Sequence, residues 1–158
     1  MAELLTAEHY LPHATPMVLL EQVVAVTEET AHCQVRVSRD GVLAPFLNAS
    51  GQLPAWFGIE IIAQTIGVWS GWHGRQLSDN PPKPGMLLGG RGYRCHQPLF
   101  PAGALLNINV TLLMHDEKIA SFEGEITLNG EILASGRLNT YQPDEQELLQ
   151  LMQQDSHS

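Results

Sequence analysis

Basic residues are scarce in this sequence. Eight Lys and Arg stand against 17 Asp and Glu, for a formal net charge of −9. A protein that grips nucleic acid needs a basic face to neutralise phosphates, and no run of Lys or Arg makes one here. The same shortage argues against electrostatic docking on an anionic membrane. Arg91 and Arg94, with Arg75 as a third candidate, are the positive charges available for a local patch facing an acidic partner. Charged residues of both signs make up only 16% of the chain, while the apolar fraction of 44% is ordinary. So little charge points to surface buried in an oligomer.

Cysteine is scarce as well. Cys33 and Cys95 fall in separate strand-like runs without framework spacing, and the simplest expectation is two reduced core thiols. Long hydrophobic runs are missing, because Glu60 and Gln64 interrupt the best apolar stretch and leave nothing long enough to span a membrane. The opening Met1-Ala2-Glu3-Leu4-Leu5 has neither the positive start nor the apolar core of a secretory signal. These absences together predict a cytoplasmic enzyme or binding domain.

What is present suits one domain of 158 residues, with a body over 1–143 and a short tail over 144–158. Pro12 and Pro16 keep residues 1–16 irregular around His13. Residues 17–26 are apolar and valine-rich, and from His32 onward Cys33, Val35 and Val37 alternate with Gln34 and Arg36. That is a hairpin with one buried face. Residues 39–53 read as a loop. Pro54 is placed to open a helix over 55–77, where its missing N–H costs nothing. Trp56, Phe57, Ile59, Ile61, Ile62, Ile66, Val68, Trp69 and Trp72 cover nearly every face of that helix, as in a core helix. Gly67, Gly71 and Gly74 suggest close approach of another backbone or a ligand. Four strand-like segments follow, at 86–96, 104–115, 119–128 and 131–141, the last two joined by the hairpin turn Asn129-Gly130. Beyond Pro143, Asp144 caps a short amphipathic helix. Pattern alone makes this an α+β domain.

Three separated motifs sharpen that reading. Leu11-Pro12-His13 precedes Pro16-Met17-Val18-Leu19-Leu20; Pro54 precedes Glu60 and Ala63-Gln64; Arg94 precedes Pro98 and Pro101-Ala102-Gly103. In this order they resemble the beta-hydroxyacyl-[acyl-carrier-protein] dehydratases. The segments Leu53-Pro54-Ala55-Trp56, Gly58-Ile59-Glu60, Leu87-Leu88-Gly89 and Tyr141-Gln142-Pro143-Asp144 look most like the ApeP-like branch, which serves type II pathways to aryl polyene pigments. The resemblance implies a hot-dog fold, a long central helix wrapped by an antiparallel sheet. It also implies a substrate carried as a phosphopantetheine thioester on an acyl carrier protein, and a dimer with its tunnels at the interface.

One motif is broken. The family's catalytic His begins a His-Phe-Pro stretch fourteen residues before the helix Glu, and counting back from Glu60 gives Phe46, with Pro54 still in register. Dehydration needs a base for the alpha proton and a donor for the departing hydroxyl. Glu60, expected to be buried in an apolar helix and so to favour its protonated form, suits the donor. Gln64, one turn on, can orient it. A satisfied buried polar pair without chemistry is the competing reading for both. His13 is the nearest substitute for the absent imidazole, against a plain turn-stabilising role. No His spacing suits a metal, and no cofactor is expected. Gly89-Gly90-Arg91-Gly92 lacks the Lys and Ser/Thr of a nucleotide loop. Gly89 is therefore read as backbone freedom beside the thioester, and Arg91 and Arg94 as contacts to a pantetheine phosphate or an acidic carrier protein. Solvent-facing charge is the alternative for both arginines.

The leading expectation is a 3-hydroxyacyl-thioester dehydratase, self-paired or paired with another dehydratase. A non-catalytic subunit that completes a mixed site, and a hot-dog acyl thioesterase, are the alternatives.

Overall fold

The computed structural model describes residues 18–77, 86–116 and 119–141. His13, the proline-containing stretch 78–85 and residues from 142 onward lie outside the described residues, and with them the expected C-terminal helix and the domain boundary at 143.

Two strands, β1 (Gln22–Val26) and β2 (Thr30–Arg36), form the expected hairpin. Its turn is closed by Thr27, whose N–H donates to the Thr30 carbonyl and whose hydroxyl accepts from the Thr30 N–H. β3 (Leu53–Pro54) leads into a 3-10 turn over Ala55–Phe57, and the 20-residue helix α1 (Gly58–Leu77) follows. At 1.5 Å per residue it is about 30 Å long, the width of a small domain. Then come β4 (Met86–Cys95), β5 (Leu99–Phe100), β6 (Leu105–His115), β7 (Ile119–Leu128) and β8 (Glu131–Tyr141). Six strands make one antiparallel sheet in the order β1-β2-β6-β7-β8-β4, and β3 pairs with β5 separately.

Alternation along the strands builds the core. Ala31, Cys33 and Val35 of β2 turn inward, as do Leu106, Ile108 and Val110 of β6 and Phe122 and Ile126 of β7. Against them α1 sets Ile61, Ile62, Ile66, Val68 and Trp69, all buried. Helix and sheet touch closely at Gly124 of β7, where a Cβ would collide with the Ile62 side chain. Asn129 (φ 52) and Gly130 (φ 85) both take the left-handed conformation that the tight β7–β8 hairpin requires. The result is the hot-dog arrangement.

Several local expectations give way to tertiary contacts. The first strand was expected from residue 17, but Val18, Leu19 and Leu20 are buried outside the sheet. Pro54 was expected to open the helix directly; instead it pairs with Leu99 and caps a 3-10 turn, and α1 starts only at Gly58. β5 went unforeseen, since two residues between prolines carry no period. The helix is not covered on every side within one chain. Ile59, Ala63, Gly67 and Trp72 are only half-buried, Glu60 is exposed, and Trp56 just before the helix is 66% exposed. Cys33 is a core thiol as expected; Cys95 is exposed at the end of β4, and both are free. Among the described residues no helix is long and apolar enough to cross a membrane.

Candidate functional site

The segment between β2 and β3 carries the first wall of the site. Pro45 suits the first turn of a short 3-10 helix over Ala44–Phe46, and Leu43, wholly buried, anchors it. Asn48 then folds the chain back, its side-chain oxygen accepting the N–H groups of Ser50 (3.0 Å) and Gln52 (2.9 Å). Arg39 braces this loop by donating to the Ala49 carbonyl at 2.6 Å. Phe46 is thereby held facing the start of α1.

The second wall is the helix start itself. Phe57 lies 5.1 Å from Phe46 between ring centroids, and Trp56 stacks on Phe57 at 3.8 Å. These three rings, with Leu19, Ile59, Glu60 and Gln64, line a pocket of about 310 Å³. Apolar walls with few convergent polar groups are the usual make-up of a small-ligand site. Glu60 is the ionisable side chain among these lining residues.

Gln64 is 2% exposed and committed to the site. Its Oε1 accepts the Leu19 backbone N–H at 2.7 Å, and its Nε2 donates to Glu60 Oε1 at 3.4 Å. A backbone N–H can only donate, so Oε1 must face Leu19 and the amide nitrogen must face Glu60. The Glu60 oxygen beside Gln64 is therefore an acceptor, and any carboxyl proton sits on the other oxygen. Glu60 was expected to be buried; it is exposed because it stands at the pocket mouth, in the first turn of α1, on the side that this chain leaves uncovered.

The remaining expected site residues divide. Glu60 and Gln64 are brought together, and Phe46, counted to the place of the family's imidazole, lines their pocket. Gly89 pairs with Asn139, and Arg91 with Arg137, on the sheet-edge strand β4. Arg94 pairs with Ser135 and is exposed. It is not among the described residues lining the pocket. Tyr93 and Cys95 on either side of it both reach the Ala55 carbonyl, so strand alternation sends Arg94 to the opposite face. The sequence pattern did not show Trp56 and Phe57 as pocket walls, since both read as part of an apolar core helix. Their position one turn before Glu60 was the available signal. Among the described residues no cluster of His, Cys, Asp and Glu has a metal-binding arrangement.

Known proteins bear on this geometry at two distances. A protein from Xenorhabdus doucetiae, solved in "The Dehydratase Heterocomplex ApeI:P", is 57% identical with a TM-score of 0.87, over 95% of this chain and 99% of that one. A mutant of the phenylacetic acid degradation protein PaaI from Thermus thermophilus is 16% identical with a TM-score of 0.59, over 77% of this chain and 92% of that one. A hypothetical thioesterase from Streptococcus pneumoniae, solved with coenzyme A, is 12% identical with a TM-score of 0.58, covering 76% and 86%. These two distant likenesses speak to the fold alone. No curated protein matches. The ApeP-like family, described as ApeP dehydratase, matches residues 5–153, which takes in both walls of the pocket and the Glu60–Gln64 pair. By that match and by its 57% identical relative, this chain belongs to the ApeP-like dehydratases.

Proposed function

We propose that this chain removes water from 3-hydroxyacyl thioesters presented by an acyl carrier protein, as one half of a paired dehydratase in the cytoplasm. The observation that carries this reading is the pocket in which Glu60 meets Phe46 instead of an imidazole. In the reaction a base takes the alpha proton and the C–OH bond breaks as the double bond forms. The hydroxyl leaves as water with a proton from the donor. Glu60 is the donor in this reading, because the bond from Gln64 directs a carboxyl proton to the other Glu60 oxygen. A phenyl ring accepts no proton, so the base comes from elsewhere: His13 of this chain, or a residue of a second dehydratase seated against the uncovered side of α1. The relative solved in a dehydratase heterocomplex favours the second source. Gly89, Arg91 and Arg94 on the edge strand are the proposed contacts for the pantetheine arm and the acidic carrier.

The test is incubation with 3-hydroxyacyl carrier-protein thioesters, first alone and then with a complete dehydratase, followed by mass spectrometry of the acyl group. No water loss by the chain alone, and water loss in the mixture above that of the complete dehydratase by itself, an increment that disappears with Glu60→Gln, is the expected result. Loss of water by the chain alone would return the base to His13. Free acid and thiol without an enoyl product would replace this reading with a thioesterase.

A further inference from the structure

The aromatic wall of the pocket hangs on one carbonyl. Ala55 begins the 3-10 turn that holds Trp56 and Phe57, and its carbonyl accepts the N–H of Gly58, which closes the turn. The same oxygen accepts the Tyr93 hydroxyl of β4 at 2.6 Å, and the Cys95 thiol approaches it at 3.6 Å. On its other side, the Ala55 N–H donates to the Pro98 carbonyl at 3.0 Å. Ala55 is thus tied from both ends to the segment running from β4 to β5.

Tyr93 fits because two glycines make room for it. A Cβ at Gly58 would fall on the Tyr93 hydroxyl, and one at Gly136 of β8 would lie 3.2 Å from the Tyr93 ring and backbone. The ring rests on β8 while the hydroxyl occupies the space beside the helix start. Half-buried and hydrogen-bonded as a donor, the phenol is pushed up from its ordinary pKa, chiefly by desolvation. It therefore keeps its proton, and its bond to Ala55, at any physiological pH.

We infer that Tyr93 is a positioning residue for the acyl pocket: seated in the gap left by Gly58, its hydroxyl holds the Ala55–Phe57 turn and so fixes the Trp56–Phe57 stack against which substrate lies. Tyr93 touches no reacting atom. It acts through the two rings, and its effect falls on substrate binding more than on the chemical step. This rests on the proposed dehydratase activity only where turnover is the readout.

The test uses the full chain as Tyr93→Phe, Gly58→Ala and the double variant, with thermal unfolding and dehydration kinetics in the presence of a complete dehydratase. Tyr93→Phe keeps the ring on Gly136 and is expected to raise KM roughly three- to tenfold, the equivalent of one loosened aromatic contact, with kcat nearly unchanged. Gly58→Ala, which drives a methyl onto the hydroxyl, is expected to lower the unfolding midpoint. Tyr93→Phe should recover much of that loss in the double variant, since both changes concern one space. An unchanged KM, a fall in kcat alone, or losses of stability that simply add would each overturn the inference. Absence of any turnover beyond the complete dehydratase's own in its mixture with the unmodified chain would sink the proposed function, and the stability coupling would then decide this inference by itself.

Discussion

Leu19 and Gln64, 45 residues apart in sequence, are joined by a 2.7 Å hydrogen bond from backbone N–H to side-chain oxygen. The bond explains two features together. It takes the Leu19 N–H out of the sheet, so the paired strand starts only at Gln22. It also fixes the Gln64 amide so that its nitrogen faces Glu60. Replacing Gln64 by Leu strands a buried N–H without an acceptor. The expected cost is about 1–3 kcal/mol in denaturant unfolding, together with a fall in dehydration. A Gln64→Leu variant as stable as the parent would show that Leu19 finds another acceptor.

Glu60 separates stability from activity. Its side chain is exposed, so Glu60→Gln should change unfolding free energy by no more than about 0.5 kcal/mol. Loss of a proton donor at the reacting centre should lower turnover by roughly 10²- to 10⁴-fold. Parallel urea melts and acyl mass spectrometry check both halves. Retained turnover would remove Glu60 from the chemistry.

Phe46 offers a gain rather than a loss. It is half-buried against Phe57 at the pocket wall, and a histidine ring there is of similar width. Phe46→His should give the chain, without a partner, measurable water loss from a 3-hydroxyacyl thioester. No gain, in a variant shown to be folded, would mean that the missing imidazole is not what limits the lone chain.

The two cysteines should behave oppositely. Burial pushes the Cys33 thiol up from 9.0 to about 12, partly offset by its hydrogen bond with Thr65. Cys95 is exposed. At pH 8 an alkylating reagent should therefore label one thiol per native chain and two in denaturant, with the native label on Cys95. The raised pKa also has a sign. Above pH 9 the unfolded chain loses the Cys33 proton while the folded chain keeps it, so stability intact below pH 9 is lost progressively toward pH 12. Tyr93, also raised, adds to the alkaline loss. Cys33→Ala should flatten the decline between pH 9 and 12 in a series of urea melts.

Gly124 tests a close contact of helix and sheet. A methyl there meets the Ile62 side chain in a packed core, and overpacking of this kind costs about 1–3 kcal/mol. Gly124→Ala should lower the unfolding midpoint, and combined with Ile62→Ala, which removes the colliding Cγ2, the double variant should lose less than the sum of the two single losses. Additive losses would mean that the helix moves away as a body instead.

The outline of this protein was legible in its sequence where one local rule acted alone. The strand-like runs 119–128 and 131–141 coincide with β7 and β8, and Asn129-Gly130 marks their turn, because a two-residue hairpin needs left-handed backbone that these residues tolerate. The apolar run after Pro54 announces the buried helix, and its spacing puts Glu60 and Gln64 on one face. Motif spacing counts Phe46 to the place of the family's imidazole, and in the structure Phe46 and Glu60 line one pocket.

What the sequence hid depended on partners far along the chain. The late start of β1 follows from Gln64, the capping place of Pro54 from its pairing with Leu99, and the 3-10 turn at Ala55 from a site bounded by Tyr93 and Pro98. Burial of Glu60 was misjudged for a related reason. An apolar helix shows how much surface must be covered, but not whether the cover comes from its own chain. Here the chain's own sheet buries Ile61, Ile62 and Ile66 and leaves Trp56 and Glu60 open. Periodicity along the sequence thus determined which residues share a face, because that depends on backbone geometry alone. Which face is covered, and by what, was decided only in the tertiary structure, where contacts between distant segments compete for the same surface.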